Sequence, residues 1–270
     1  MTINKLWIEL AITSAIEASQ TIMNVYKKDF NVDLKSDQSP VTAADKGSSA
    51  IITTLLEKTG IMVISEEETI PAFEKRRNEK YIWIVDPLDG TKEFIQKNGE
   101  FCICIALIYE NKPIFGLIAS PTEEMILLGG HDHGVYYFPF HTQDPFTPAF
   151  EIQSLTLEKP LTVAHSRSHF SSYTKQFIDQ LTQEHGQPSV IKKGSALKFI
   201  DLALSKAHFY PRMAPTMEWD IAAGQAIYEA LGGEVLNFTT FEPLHYNKED
   251  LHNPYFIAKN KQLKLRKINE

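Results

Sequence analysis

Between Trp83 and Thr91 the chain runs Trp-Ile-Val-Asp-Pro-Leu-Asp-Gly-Thr, so that an apolar stretch meets two carboxylates, Asp86 and Asp89, set three positions apart. Pro87 stiffens the turn between them, and Gly90-Thr91 follows. This order predicts a buried strand that ends in an acidic loop and then opens a helix. Such a loop can hold a hard cation on its carboxylates and a phosphate on the free N–H groups of the helix start.

A chain of 270 residues can bury a large core, as one unit or as two lobes around a cleft. Hydrophobic residues at 43% and charged residues at 23% place it among soluble globular proteins. No apolar run approaches the ~20 residues of a membrane helix, and the N-terminus lacks a signal-peptide layout. The expectation is a cytoplasmic enzyme. A net charge of −7 argues against a nucleic-acid polymer as partner, because no broad basic face is available. A small anion remains compatible where metal ions or a few local cations reverse the sign.

Periodicity predicts helices over 3–28, capped by Thr2, and over 44–57, with a short strand at 61–64 running into Glu66-Glu67-Glu68. Residues 31–40 read as a polar loop. Strand signals at 101–109, 113–119, 124–128 and 134–138, separated by Asn, Gly and Pro, predict an antiparallel sheet. The proline-rich stretch 139–159 marks a junction between an α+β lobe, 1–158, and an α/β lobe, 159–270. In the second lobe strands are expected at 161–164, 189–192, 207–210, 234–237 and 255–258, alternating with helices at 171–182, 196–204 and 219–231.

Five acids stand at predicted strand ends or helix starts: Asp45, Glu66, Asp86, Asp89 and Asp220. Carboxylates crowded into one cleft repel one another, and divalent cations relieve that repulsion. Two such ions can clamp the attacking and leaving oxygens of a phosphoryl transfer. Each acid also has a plainer reading: a helix cap for Asp220, a first-turn acid for Asp45, and a solvated loop for Glu66 to Glu68. The Asp86–Asp89 pair is poorly explained by turn chemistry. Cys102 and Cys104, two apart in a strand, make a poor zinc site by themselves and read as core packing. His131 and His133 read as an exposed hairpin turn.

Asp86-Pro87-Leu88-Asp89-Gly90-Thr91, with Trp219-Asp220 and Glu66-Glu67, resembles the inositol monophosphatase superfamily of Mg²⁺-dependent, lithium-sensitive phosphatases. Gly194-Ser195-Ala196-Leu197-Lys198, Tyr210-Pro211-Arg212, Pro215 to Asp220 and Glu242 to Asn247 narrow the resemblance to bacterial 3'(2'),5'-bisphosphate nucleotidases of the CysQ type. The resemblance implies an α/β, α+β-layered fold, an α-β-α-β-α sandwich with an antiparallel sheet in the first lobe. It implies Mg²⁺, two or three ions, held by Glu66, Asp86, Asp89, Asp220 and the Leu88 carbonyl. Asp45, Thr91 and Glu66 would be catalytic, with the Thr91–Asp45 pair polarising the attacking water. Gly90 and Thr91 would hold the scissile phosphate. Ser166, His169, Gly194, Ser195, Lys198 and Arg212 would bind the nucleotide, and Arg167 and Ser168 fall in the same segment. Ala196 departs from relatives that carry Ser there. The implied reaction converts adenosine 3',5'-bisphosphate to AMP and phosphate, with 3'-phosphoadenylyl sulfate as a further substrate, in sulfur assimilation or nucleotide recycling. The expected protein is a monomer with a small-molecule partner and no integral membrane segment, at most peripheral on the cytoplasmic face of the inner membrane. The alternatives are an inositol or sugar bisphosphate phosphatase of the same superfamily, and a non-catalytic metal-dependent nucleotide-binding protein.

Overall fold

Residues 3–35, 38–167 and 170–265 are described by the computed structural model. The chain opens with α1 (Lys5–Tyr26), a hairpin of β1 (Val32–Leu34) and β2 (Pro40–Thr42), and α2 (Ala43–Glu57). Asn4 starts α1, its side chain accepting from the Leu6 N–H, so the helix begins two residues later than the periodicity suggested. Thr2, the expected cap, lies outside the described residues. The hairpin lies in the stretch read as a loop, because three-residue strands that pair only with each other leave no apolar alternation to read.

Next come β3 (Met62–Ser65), α3 (Phe73–Arg76), β4 (Tyr81–Asp89), α4 (Thr91–Ile95), β5 (Cys102–Tyr109), β6 (Lys112–Ser120), β7 (Met125–Gly130) and β8 (Gly134–Pro139). They form a six-stranded sheet in chain order from β3 to β8. β3 pairs parallel with β4, and the remaining pairs are antiparallel, as the closely spaced strand signals implied. The sheet is buried on both sides, and β5 shows how. Its Cys102, Cys104, Ala106 and Ile108 enter one core, while Ile103, Ile105 and Leu107, with Phe101 just before the strand, enter the other. Ala11, Ala15, Ala18 and Ile22 of α1, with Ile52 and Leu56 of α2, complete the second core.

The chain continues through β9 (Thr162–Ser166), α5 (Ser172–His185), β10 (Ser189–Lys193), α6 (Leu197–Ala203), β11 (Phe209–Arg212), α7 (Glu218–Ala230), β12 (Gly233–Asn237) and β13 (Phe256–Asn260). The second sheet has the order β10-β9-β11-β13-β12, with β9, β10 and β11 parallel and β13 antiparallel to both its neighbours. Leu197, Phe199 and Ile200 of α6 and Ile221, Ala222, Ile227 and Tyr228 of α7 fill the core between the sheets. Phe177 and Leu181 of α5 pack on the outer face of the second sheet against Val163, Phe209 and Ile257. The layers therefore read α-β-α-β-α, the sandwich that the resemblance implied.

Glycine sets the closest approach between layers. A Cβ on Gly116 of β6 would stand 2.0 Å from the Ala223 carbonyl oxygen of α7. Any side chain there would push helix and sheet apart. That contact matters for the site, because the sheet carries Asp86 and Asp89 while α7 carries Asp220.

Candidate active site

The acidic segment is not a free loop. β4 carries it as paired strand through Asp89, and the register slips between Asp86, opposite Cys104, and Asp89, opposite Cys102. The resulting bulge changes the direction in which Asp89 points. Gly90 follows at φ 98, a left-handed conformation that suits glycine, and α4 begins at Thr91. Asp86 is buried and accepts from the Leu88 N–H at 3.0 Å. Asp89 accepts from the Ala196 N–H at 2.5 Å, so the backbone of residue 196 makes this bond whatever its side chain. Asp220 lies in the first turn of α7 and accepts from the Met217 N–H at 2.8 Å. Its plain reading as a capping acid is therefore correct geometry, and the same carboxylate lines the cleft.

These acids raise one another's pKa. Burial pushes Asp86 well up, and the charges of Glu66, Asp89 and Asp220 add to it. Burial raises Asp89 as well, against the pull of the neighbouring Lys198 ammonium. Asp220 is pushed up to about 8, first by burial and then by Asp89. Glu66 follows the end of β3, its N–H bonded to the Val85 carbonyl. Its carboxylate meets the Lys35 ammonium at 2.8 Å, and Glu67 shares that ammonium. Glu68 turns instead to the Ser49 hydroxyl at 2.9 Å. Of the triplet, Glu66 is the one whose charge reaches Asp86, Asp89 and Asp220.

Thr91 and Asp45 meet at the start of α4. The Thr91 hydroxyl donates to Asp45 Oδ1 at 2.9 Å. The other oxygen, Oδ2, accepts from the Thr42 N–H at 2.7 Å and from the Thr42 hydroxyl at 2.6 Å. Asp45 is thus both a capping-box acid of α2 and the partner of Thr91. The Leu88 carbonyl lies 3.4 Å from the Thr91 hydroxyl.

Across the cleft the charge reverses. Lys198 is only 2% exposed, although it is the second residue of the helix α6. Its ammonium donates to the Ser195 carbonyl at 2.5 Å and the Lys193 carbonyl at 3.2 Å, and stands 4.9 Å from the centre of the Tyr210 ring. Burial lowers its pKa to about 8. Arg212 closes β11 and donates to the Pro215 carbonyl at 3.3 Å, while its buried Nε has no protein partner. Lys198, Arg212, Ser166, Ser195, Gly90, Asp89 and Asp220 line one cleft.

Some residues named from sequence do other work. The Gly194 N–H is taken by the Glu100 carboxylate at 2.8 Å. The Arg167 guanidinium also turns to Glu100, its Nε donating at 2.8 Å. Ser168 and His169 lie outside the described residues. The turn at 131–133 leaves His131 exposed as expected, whereas His133 is half-buried. Sequence reasoning missed Lys35, whose position beside Glu66 depends on the β1–β2 hairpin. It also missed that Cys102 lies behind the cleft wall, with its sulfur 2.7 Å from the Ser195 hydroxyl.

The donor set fits divalent cations. Glu66, Asp86, Asp89 and Asp220 are hard oxygen donors, and three of them have pKa values raised by burial and then by neighbouring acids. Among the described residues, no three of them bring oxygens within 4.8 Å of one another. So open a set suits an ion that keeps part of its water shell and takes one or two carboxylates. The Lys35 ammonium on Glu66 shows that a positive charge is accommodated there.

The profile of the inositol monophosphatase family matches residues 4–270. The chain is 38% identical over 247 residues to the 3'(2'),5'-bisphosphate nucleotidase CysQ of Escherichia coli, covering 90% of this chain and 95% of that one. It is 28% identical over 260 residues to its Haemophilus influenzae counterpart, covering 95% and 94%. Among solved structures, CysQ from Bacteroides thetaiotaomicron superimposes with a TM-score of 0.84 at 37% identity, over 94% of this chain and 96% of that one. The suhB protein of Bartonella henselae, at 21% identity and a TM-score of 0.74, shares the fold.

Proposed function

The chain belongs to the inositol monophosphatase family, and within it we propose a 3'(2'),5'-bisphosphate nucleotidase that hydrolyses adenosine 3',5'-bisphosphate to AMP and inorganic phosphate. As a family member it is a phosphoric monoester hydrolase. The nucleotide preference is supported by the relatives' names and by the cleft's opposed walls. One wall is acidic and suits cations and a scissile phosphate. The other carries Lys198 and Arg212, which suit a second phosphate that stays on the substrate. The observation that carries the hydrolytic reading is the Thr91–Asp45 hydrogen bond. A non-catalytic nucleotide-binding protein has no use for it.

The chain's own residues divide the work. Thr91 donates its hydroxyl hydrogen bond to Asp45 Oδ1, which leaves the hydroxyl oxygen free to accept from a water and fix it for in-line attack on the 3'-phosphorus. Two bonds from Thr42 hold Asp45 still for this task. Gly90 and Thr91 offer N–H groups at the start of α4 to the phosphate oxygens. Lys198 and Arg212 grip the 5'-phosphate, and Ser166 and Ser195 line the path between. Glu66, Asp86, Asp89, Asp220 and the Leu88 carbonyl would hold Mg²⁺, which when bound supplies charge stabilisation to the phosphoryl oxygens and lowers the pKa of water. Lithium sensitivity and cleavage of 3'-phosphoadenylyl sulfate, with a place in sulfur assimilation, belong to the same reading.

Phosphate release from adenosine 3',5'-bisphosphate, inositol 1-phosphate and fructose 1,6-bisphosphate, with and without Mg²⁺, tests it. The bisphosphorylated nucleotide should give the highest kcat/KM. A higher value for the inositol ester would defeat the nucleotide assignment.

A further inference from the structure

Cys102, Cys104 and Asp89 form a donor cluster that the proposed hydrolysis leaves unexplained. Read alone, two thiols two apart in a strand lack the further ligands that zinc needs. The fold supplies one from the neighbouring strand. The bulge in β4 sets Asp89 opposite Cys102, and the alternation of β5 keeps Cys102 and Cys104 on one face. The two sulfurs stand 3.8 Å apart, and the Cys102 sulfur stands 3.8 Å from Asp89 Oδ2. All three donor atoms lie within 4.8 Å of one another.

The two separations from the Cys102 sulfur are close to those of a tetrahedral soft-metal centre. Metal–sulfur bonds of about 2.3 Å at tetrahedral angles place two thiolates about 3.8 Å apart, and a thiolate and a carboxylate oxygen about 3.6 Å apart. Plain core packing does not require this spacing. Ser195, whose hydroxyl touches the Cys102 sulfur at 2.7 Å, lines the cleft. An ion can therefore reach the thiols from the cleft by displacing that hydroxyl. Thiolates select zinc-like ions, whereas Mg²⁺ takes oxygen.

We propose that Cys102, Cys104 and Asp89 form a binding site for a thiophilic divalent cation, Zn²⁺, and that filling it inhibits the enzyme by drawing Asp89 out of the hard-cation set. Binding forms two metal–sulfur bonds and one metal–oxygen bond and releases the two thiol protons to solvent. The inhibitory half rests on the proposed function. The binding half does not.

Cd²⁺, a spectroscopic stand-in for Zn²⁺, should be titrated into the Mg²⁺-saturated full chain under reducing conditions without added thiols. The expected result is an ultraviolet thiolate-to-cadmium charge-transfer band that saturates at one ion per chain and is lost in the Cys102→Ala/Cys104→Ala variant. No band in the wild-type protein would overturn the site, whether or not the chain hydrolyses nucleotides. For inhibition, Cys104→Ala should keep its Mg²⁺-dependent turnover and need at least about tenfold more Zn²⁺ for half-inhibition. Equal Zn²⁺ sensitivity of wild type and Cys104→Ala would overturn the inhibitory role.

Discussion

The two walls of the cleft bury charge for opposite ends, and the sheet and helix scaffold treats them differently. The acidic wall is assembled from distant pieces: the end of β3, the bulge of β4 and the first turns of α2 and α7. Burial pushes Asp86, Asp89 and Asp220 up, and repulsion among the acids adds to it. The cationic wall comes from one compact run, β10 through β11, and its buried lysine is held by backbone carbonyls and an aromatic ring. Burial pulls that lysine down to about 8. A wall that repels itself needs ions from solution, while a wall satisfied by carbonyls is ready for an anionic ligand. The acid wall should therefore govern turnover, and the cationic wall should govern affinity.

The sharpest break is expected at Asp89. Asp89→Asn removes one donor while keeping the shape, and turnover should fall on the order of 10³-fold, from the several kcal/mol of metal charge stabilisation at stake. Near-wild-type kcat would contradict the role of that wall. Thr91→Ala should lower kcat on the order of 10²-fold with little change in KM, because it removes only the group that orients the water. A rise in KM at unchanged kcat would reassign Thr91 to substrate binding.

Lys198→Met should instead raise KM by roughly 10–100-fold for the bisphosphate, from the ~1.5–3 kcal/mol of a hydrogen bond to a charged group. The effect should shrink for a nucleotide lacking the 5'-phosphate. The wild-type KM should also climb as pH passes about 8, where this lysine loses its charge, and that inflection should vanish in the variant.

Stability against pH sharpens the comparison further. Asp220 has a folded pKa of about 8, above its ordinary 3.8. Its raised pKa favours the folded state below the ordinary value, and that advantage is lost as pH rises through about 8. In EDTA, Asp220→Asn should gain melting temperature relative to wild type between about pH 4 and 8, and Mg²⁺ should erase the gap. A pH-independent difference would mean that Asp220 is not held in a repelling site. The smallest effect belongs to Arg167→Ala. Its guanidinium is exposed and engaged with Glu100, so kcat/KM should change by less than about threefold.

Much of this arrangement was legible from residues alone, for physical reasons. Alternation on both faces of β5 and helical spacing in α1, α2 and α7 survive into the structure, because burial enforces them. The Asp86–Asp89 pair stood out because no turn requires two acids around Pro-Leu. Convergence was not legible, because Asp220 satisfies every local rule for a helix cap and only the packing of α7 against β6 at Gly116 brings it to the cleft. The burial of Lys198 was hidden for a similar reason. Helical spacing cannot reveal that a lysine is buried beneath Tyr210, and the pairing of Asp89 with Cys102 depends on a bulge that has no local signature.

Diffraction from crystals soaked in Mn²⁺, with anomalous scattering to locate the ions, tests the acid wall most directly. The account expects ions ligated by oxygens of Glu66, Asp86, Asp89 and Asp220 at about 2.0–2.2 Å. It also expects Lys35 to be displaced from Glu66. Saturating Mn²⁺ with no anomalous peak among those four side chains would contradict it.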